Sequence, residues 1–275
     1  MSKLIHDAQG SRTYKTGVER GVLFVMKDDG SYNKGVAHNG LINFNHSPEG
    51  AEANDFYADN MKYLSIRSAE NFKASMTCYS TPKEFDACDG TLSIVPGVKI
   101  RGQVRKSFGF AYISKLGNDV MGDDYAEILH LVYGCSVNPS EEEHNTVNDS
   151  PEPGELSFDI DSVPIKVEGY KPISNIDIYS NEVTKEQWDK LIDMVYGCDA
   201  TPATYKLTED VAIVTGKDYY TRSGSEGSYV YTKVENPQVS DIGTYYELVT
   251  PAKEDSDPTL PLPADIFKMF PQTQG

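Results

Sequence analysis

The sequence predicts a mainly β protein: a β-sandwich or barrel-like body with one flanking α-helix and a small β-rich insertion. Aromatic residues make up 11% of the 275 residues, and 18 residues are Tyr, a composition that favours strands. Residues 105–135 contain two long apolar segments around a turn rich in Gly and Asp, which is the pattern of a β-hairpin. Residues 184–196 combine a capping signal with a helical apolar stripe, and this pattern predicts the flanking helix.

The predicted central hairpin runs along residues 105–114, turns through residues 116–124 and returns along residues 125–135. Side chains alternate across a strand, so Phe110 and Ala111 point to opposite faces. The same alternation makes both faces of the second strand apolar. We therefore expect both faces of the hairpin to be covered by other parts of the protein.

Two apolar runs precede the central hairpin, at residues 21–27 and 35–45, and we expect them to pair with each other as a hairpin. Residues 46–60 follow as small and acidic residues around an aromatic pair, and they are predicted to form a loop. Such a loop is either simply solvated or marks a contact surface. The residues that would make this contact, two acids and two aromatics, are Glu49, Asp55, Phe56 and Tyr57.

Residues 61–79 alternate apolar and polar side chains and predict one half-buried strand. Its inward side chains would be Phe72, Ala74, Met76 and Cys78. Residues 81–84 have the Thr, Pro and Glu of a helix start, so a short helix capped by Thr81 is expected there. The Asp-Gly pair that includes Gly90 would end it.

Residues 138–154 are too polar to pack and are predicted to be a loop. Three consecutive glutamates and His144 stand in this loop, and neighbouring loop residues seldom converge on one metal ion, so a solvated charge run is the preferred interpretation. Residues 155–168 predict a strand with an acidic outer face that contains Asp159 and Asp161.

A further strand at residues 171–183 leads into the predicted helix, which Thr184 begins with a capping box and Gly197 ends. The buried stripe of this helix would consist of Trp188, Leu191, Ile192 and Val195. These four residues are predicted to fix the helix against the sheet.

The composition changes after Cys198. Residues 199–256 are rich in Thr, Tyr, Ser and Gly and predict a small Tyr-rich β module. This module would be inserted into a discontinuous body formed by residues 1–198 and 257–275, which resumes with an extended Pro-rich strip and closes with a helical turn.

Charge and cysteine usage exclude several classes of protein. The formal net charge of −17 argues against binding to nucleic-acid phosphates, which requires clusters of Lys and Arg. The N-terminus lacks the hydrophobic core of a signal peptide, and no apolar run approaches the length of a membrane span, so we expect synthesis in the cytoplasm and no membrane association. The four cysteines are scattered, and buried free thiols are expected.

No catalytic motif is visible: the chain has no GxSxG elbow, HExxH pair, P-loop or dinucleotide fingerprint. Asp123 and Asp124 in the central turn lack the regular ligand alternation of a calcium loop. His38 and His130 lie on apolar strands and are interpreted as satisfied core histidines. We therefore expect no catalytic residue, no metal site and no cofactor.

Taken in order, eight segments resemble the major tail protein of long-tailed bacteriophages that infect Gram-positive hosts. The resemblance extends over nearly all of residues 17–198 and again over residues 258–270, and His38 stands where the family usually has Trp. The segments that carry it are GVERGVLFV, GVAHNGLINFNHSPEGAEANDFYADNMKYLSIRSAE, RKSFGFAY, KLGNDVMGDDY, LHLVYGC, NDSPEP, IDIYSNEVTKEQWDKL and LPLPADI.

The resemblance implies a tail tube protein, a structural virion protein that forms rings, usually hexameric, which stack into a channel for DNA ejection into the host. Double-stranded DNA would pass through this channel without specific binding. The implied protein partners are further copies of the chain and the tape measure, tail terminator and distal tail proteins. The implied location is the virion tail.

The acidic charge fits such a channel, because attractive patches would trap a polyanion. Residues 199–256 hold ten acids and five bases, a net −5, which leaves −12 of the −17 on the body. Asp159 and Asp161 are the candidates for lining the channel, and the alternative is that they lie on the outer wall. The alternative function is a β-sandwich recognition module that binds cell-wall glycan, which the many tyrosines favour.

Overall fold

The computed structural model shows a mainly β protein, with 47% strand and 13% helix, as the composition predicts. It describes residues 6–50, 52–67, 70–139, 146, 153–226 and 228–270. The chain divides into two compact units, a first unit of Met1–Tyr196 with Asp257–Gly275 and a second unit of Gly197–Ser256. The sequence placed an insertion at residues 199–256, within two residues of the second unit. The predicted charge run around His144 lies outside the described residues.

The strands of the first unit are β1 (Thr13–Val25), β2 (Val36–His38), β3 (Leu41–His46), β4 (Glu49–Gly50), β5 (Ala53–Ala58), β6 (Met61–Arg67), β7 (Glu70–Asn71), β8 (Lys73–Cys78), β9 (Leu92–Val95), β10 (Val98–Ile100), β11 (Phe108–Asn118), β12 (Gly122–Val137), β13 (Leu156–Ser162) and β14 (Asn175–Tyr179). Its helices are α1 (Asp86–Asp89), α2 (Lys185–Tyr196) and α3 (Pro263–Met269), with a 3₁₀ turn at Lys83–Phe85. The second unit contains β15 (Thr204–Leu207), β16 (Tyr220–Ser223), β17 (Val230–Lys233), β18 (Tyr246–Thr250) and a 3₁₀ helix at Val239–Thr244.

One antiparallel sheet organises the first unit, in the order β2-β1-β11-β12-β13-β8-β3, with β14 also paired to β12. Strand β12 is long enough to pair with two strands along one edge. Its residues 128–132 pair with β14 and its residues 135–137 pair with β13. The central hairpin predicted from the sequence therefore forms the middle of this sheet.

The turn of the central hairpin is shorter than predicted. The sequence placed it at residues 116–124, whereas the structure pairs Asn118 with Gly122 and leaves only three residues between the strands. The Asn118 side-chain oxygen accepts hydrogen bonds from the backbone N–H groups of Val120 and Met121, at 3.0 and 2.6 Å. These bonds satisfy the backbone N–H groups of the short turn, so the flanking Gly and Asp residues belong to the strands.

Both faces of the central hairpin are buried, which confirms the prediction. On one face, Phe108 and Phe110 belong to a core that the sheet encloses by curving, and Phe44 of β3 stacks on Phe110 with ring centroids 5.4 Å apart. On the other face, Ile113 and Leu131 belong to a second core, which α2 and α3 cover. The body is thus a curved, barrel-like sheet with helices on its outer face.

Helix α2 forms as its sequence predicts. The backbone N–H of Thr184 donates to the Gln187 side chain at 3.0 Å, and the Gln187 N–H donates to the Thr184 hydroxyl at 3.3 Å, which is a capping box. Gly197 follows the helix with φ of 75°. Of the predicted stripe, Leu191 and Val195 are fully buried, and Trp188 and Ile192 are half-buried against the same core. The shorter helix α3 packs beside them.

The N-terminal hairpin prediction is correct only in part. Strand β2 pairs with β1, but the predicted strand at residues 35–45 breaks at Gly40, whose φ is 74°. After the break, β3 pairs with β8 on the far side of the sheet. A positive φ is inexpensive for Gly, so the chain can leave one edge and join another at this point.

The predictions for residues 46–60 as a loop and for residues 61–79 as one strand are wrong. Strands β5 and β6 pair as a hairpin, and only β8 continues the half-buried alternation that the sequence predicts. The turn between β5 and β6 uses Asp59 and Asn60, with φ of 51° and 61°. Two left-handed residues make a tight turn whose twist matches that of the paired strands.

The predicted short helix is present but begins differently. Pro82 occupies the capping position in an extended conformation and no side-chain hydrogen bond caps the turn, so the predicted role of Thr81 is wrong. Gly90 ends α1 in the left-handed conformation, as predicted. The hairpin of β9 and β10, which follows it, was not anticipated from the sequence.

The second unit is a four-stranded antiparallel sheet in the order β15-β18-β16-β17. Tyr219 and Tyr245 are its large buried side chains among the described residues. Cys198 and Ser256 exchange backbone hydrogen bonds of 3.1 and 3.0 Å, so the two ends of this unit lie side by side. Such adjacent ends are what an inserted module requires.

Candidate assembly surfaces

The hairpin of β5 and β6, called here the first hairpin, exposes every one of its residues. Phe56 pairs directly with Leu64, and Ile66 lies two residues further along the same face. The exposed large apolar side chains of this hairpin are Phe56, Tyr57, Met61, Tyr63, Leu64 and Ile66. A two-stranded hairpin is marginal in water, and large apolar side chains exposed on both of its faces mark an interaction surface.

A salt bridge joins the two strands of the first hairpin. Lys62 Nζ lies 2.7 Å from a carboxylate oxygen of Asp55. Hydrogen bonds from Lys62 and Ser65 lower the pKa of Asp55 below its usual value. Of the residues that the sequence proposed for a contact, Asp55, Phe56 and Tyr57 lie on this hairpin, whereas Glu49 lies on β4.

The hairpin of β9 and β10, called here the second hairpin, has the same character. All of its residues are exposed. Its exposed large apolar side chains are Leu92, Ile94, Val95, Val98 and Ile100. The signal in the sequence is the Pro-Gly turn before Val98, with apolar residues alternating with Ser93 on one side and with Lys99 on the other. The first unit therefore presents two apolar hairpins to solvent.

Glu49, Asp159 and Asp161 line one groove of about 290 Å³ together with Lys73, and we call it the acidic groove. Lys73 Nζ lies 2.8 Å from a Glu49 oxygen and 3.8 Å from an Asp161 oxygen. The Glu49 hydrogen bond, followed by its charge, raises the pKa of Lys73. The sequence had assigned Glu49 to one surface and the two aspartates to another, and the structure brings them together.

The two aspartates of the acidic groove differ in their surroundings. Asp161 accepts a hydrogen bond of 2.7 Å from the Asn138 side chain in addition to its contact with Lys73. Asp159 is exposed and forms no ion pair with any residue that the structure describes. Asp159 is therefore the freer negative charge on this face of β13.

A polar chain that the sequence does not predict connects the half-buried Ser114, the buried His130 and the exposed Asp177. The Ser114 Oγ lies 2.8 Å from His130 Nε2, and His130 Nδ1 lies 2.8 Å from Asp177 Oδ1. The Tyr112 ring stacks on the His130 ring with centroids 4.5 Å apart. These residues lie on adjacent strands in register, and Tyr112 and Asp177 both pair with His130.

The connectivity of this polar chain is that of a hydrolytic triad, but its setting differs. Ser114 lies within β11 in the middle of the sheet, and not on a strand-to-helix turn that would present a nucleophile. Burial acts to raise the pKa of Asp177, but the hydrogen bond from His130 and nearby positive charges outweigh burial and lower it. Both ring nitrogens of the buried His130 have partners in this chain, so His130 is a satisfied core histidine, as predicted.

His38 contradicts its prediction. Its side chain is buried, with edge-to-face contacts to Phe85 and Phe110, but neither ring nitrogen has a hydrogen-bond partner among the residues that the structure describes. Burial lowers the pKa of His38 to about 4, so the ring is neutral at pH 7. His38 and the buried, unpartnered hydroxyl of Tyr196 line the same cavity of about 430 Å³. His38 is thus a core histidine, but not a satisfied one.

The remaining sequence-based site predictions concern cysteines and metals. All four cysteines are free; Cys78, Cys88 and Cys135 are buried as predicted, whereas Cys198 is half-buried. Burial raises the pKa of the Cys78 thiol to about 11. The described residues contain no group of three His, Cys, Asp or Glu side chains that could hold a metal ion. In the same part of the chain, no helix is long and apolar enough to cross a membrane.

Comparison with known proteins adds no assignment to this geometry. No family model matches the chain. A search of curated proteins finds no match either.

Proposed function

We propose that this chain is the tail tube protein of a long-tailed bacteriophage, a structural virion protein whose copies form stacked rings around a DNA channel. Six copies per ring is the number that the resemblance to major tail proteins implies. The proposal rests on that resemblance and on the surface of the first unit.

The observation that carries the proposal is the first hairpin. Phe56, Tyr57 and Tyr63 expose half or more of their surface on a two-stranded ribbon that no other strand joins among the described residues. In a monomeric protein, exposed apolar side chains on a hairpin add no stability and promote aggregation. In a stacked assembly, the same hairpin would be buried against the next copy.

A heterologous contact is the type of interface that this surface favours. The apolar side chains occupy a projecting hairpin, and a hairpin of one copy contacting a different surface of the next copy generates rings or filaments. The second hairpin offers a further apolar surface for the neighbouring copy. Two separate projecting surfaces on one chain suit an assembly that grows both around a ring and along an axis.

The charge distribution supports a channel for DNA. The body alone carries −12, and this charge includes the exposed carboxylate of Asp159 in the acidic groove, which forms no ion pair within the part of the chain that the structure describes. A negative wall would repel the phosphates of double-stranded DNA, so the DNA would pass without binding. We propose that the acidic groove, and Asp159 above all, faces this channel.

The same proposal includes partners and location. The tape measure, tail terminator and distal tail proteins would contact the two ends or the interior of the tube. The protein would act in the virion tail after synthesis in the bacterial host cytoplasm, without a catalytic role, a cofactor or a membrane partner.

Size-exclusion chromatography followed by negative-stain electron microscopy tests the proposal. We expect the purified full chain to give rings or hollow filaments. A protein that stays monomeric at every concentration and sediments with bacterial cell walls would contradict the proposal and support the glycan-recognition alternative.

A further inference from the structure

One face of the sheet in the second unit combines aromatic rings with a single guanidinium group. Strand pairing sets Tyr220 opposite Tyr246 and Arg222 opposite Tyr231, so these side chains share a face. We call it the tyrosine face, and its members are Tyr205, Tyr220, Arg222, Tyr229, Tyr231 and Tyr246.

The rings of the tyrosine face contact one another but remain partly open to solvent. Tyr205 stacks on Tyr231 with ring centroids 4.0 Å apart, and Tyr231 meets Tyr246 edge to face at 5.3 Å. Each of these three residues is half-buried, and Tyr229 is exposed. The result is a fixed aromatic platform at the surface.

The hydroxyl groups distinguish this platform from the core of the same unit. The buried Tyr219 donates its hydroxyl to Asp210 at 2.8 Å, and the buried Tyr245 hydroxyl accepts from the Gln238 N–H at 3.0 Å. In contrast, the hydroxyls of the tyrosine face form no hydrogen bond with any described residue. If these rings served only to pack against one another, Phe would suffice. The hydroxyl groups of Tyr instead leave hydrogen-bonding atoms available to a partner.

Arg222 gives the tyrosine face its charge. Its guanidinium carbon lies 4.3 Å from the centroid of the Tyr229 ring and 4.8 Å from that of Tyr246. No carboxylate in the described residues pairs with it, although the second unit has a net charge of −5. The rings fix the guanidinium by cation–π contacts and leave its N–H donors available for a bidentate anion.

From this geometry we infer that the tyrosine face binds a polysaccharide whose sugar rings carry carboxylate or phosphate groups. The C–H faces of sugar rings would stack on the tyrosine rings, the sugar hydroxyls would bond the tyrosine hydroxyls, and Arg222 would pair with the anionic group. A single-stranded nucleic acid would also stack on aromatic rings, but it needs a positive groove that follows its backbone. The tyrosine face has one cation, Arg222, among five tyrosines and therefore lacks such a groove. This inference goes beyond tube formation and does not depend on it.

Isothermal titration of the full chain tests the inference with four probes: a uronic-acid polysaccharide, poly(glycerol phosphate) bearing sugars, neutral dextran and single-stranded oligothymidine. We expect binding to at least one of the two anionic polysaccharides and weaker binding to dextran. The two anionic arms distinguish a carboxylate from a phosphate partner. Binding to neither, or preferential binding to oligothymidine, would overturn the inference.

Matched variants locate the binding. Arg222→Gln should lower the affinity for the anionic polysaccharide roughly tenfold, which is the loss expected for one charge-assisted hydrogen bond. Arg222→Lys should retain part of the affinity that Arg222→Gln loses. Tyr229→Ala, at an exposed position, should also lower the affinity for the polysaccharide. Lys206→Gln removes the same charge from the opposite face of the sheet and should leave affinity unchanged. Circular dichroism verifies folding of each variant, and equal weakening by Lys206→Gln and Arg222→Gln would contradict a specific face.

Discussion

Phe56 and Leu64 face each other across the first hairpin, and in the single chain they leave 50% and 40% of their surfaces exposed. Directly paired apolar residues stabilise a hairpin, but they do so fully only when their common face is covered. This pair therefore identifies the surface that assembly would bury.

The first prediction concerns this surface. Replacing Phe56, Leu64 and Ile66 with Ser, Ser and Thr should change the thermal stability of the isolated subunit little, since surface substitutions usually alter it by about 0.5 kcal/mol or less. Assembly should be lost, because central interface residues contribute about 2 kcal/mol or more each. Sedimentation velocity measures the loss.

The matched control is Val163→Ser, which removes an exposed apolar side chain outside both hairpins. It should assemble like the wild type. Tubes of normal length from the triple variant would exclude the first hairpin from the interface. Substitution is a cleaner test than deletion of residues 48–58, because that deletion would remove β5 and leave β6 without its partner.

A second prediction follows from His38. Its folded pKa of about 4 lies below its ordinary value of 6.5, so the unfolded chain binds the proton more tightly. This residue therefore destabilises the fold as pH falls from about 6.5 to 4, by up to about 3 kcal/mol. His38→Phe removes the titration and the two unpartnered nitrogens. Urea unfolding should show a variant that is more stable than the wild type, by a larger margin at pH 5 than at pH 7.

The control is His6→Phe, since His6 is exposed. It should not reproduce the gain in stability of His38→Phe. An equal difference between wild type and His38→Phe at both pH values would mean that His38 does not titrate in this window.

The central strands could be predicted because both of their faces are apolar in the sequence. This pattern is typical of a strand that is covered on both sides. Helix α2 could be predicted because Thr184 and Gln187 stand at capping-box spacing and local hydrogen bonds decide where a helix begins. The first hairpin could not be predicted in the same way. Its strands bury nothing in the single chain, so the alternation that identifies a half-buried strand was absent from residues 53–58.

The candidate sites show the same limit. Polar neighbours such as Lys73 and Asp161, which are 88 positions apart in the chain, meet only because β8 pairs with β13. The network of Ser114, His130 and Asp177 also depends on the register of three strands. The apolar strand around His130 predicts a core residue, but a single strand carries no information about which side chains on the neighbouring strands will contact it.

The third prediction concerns this network. Asp177→Asn should lower the free energy of unfolding at pH 7 by about 1–3 kcal/mol, the cost of weakening a charged hydrogen bond to a buried group. Asp189→Asn breaks only an exposed ion pair with Lys185 on α2 and should cost about 0.5 kcal/mol or less. Urea unfolding compares the two. Equal losses would show that the contact between His130 and Asp177 contributes no more than a surface pair.

The fourth prediction concerns the channel. Asp159→Lys should leave ring assembly intact and slow DNA ejection, because a cation on the wall would attract phosphates, and the defect should ease at high salt. Asp159 is preferred over Asp161 because Asp161 also bonds Asn138 and approaches Lys73. The matched control, Asp255→Lys, makes the same charge change in the second unit. Wild-type ejection kinetics in particles confirmed to carry Asp159→Lys would remove Asp159 from the channel wall.

A cryo-electron microscopy map of the filament formed by the full chain tests the central claim most directly. We predict a hollow tube of stacked rings in which the first hairpin of each copy is buried against a copy in the adjacent ring. A map in which the hairpin projects into solvent, or a preparation that yields only monomers, would contradict it.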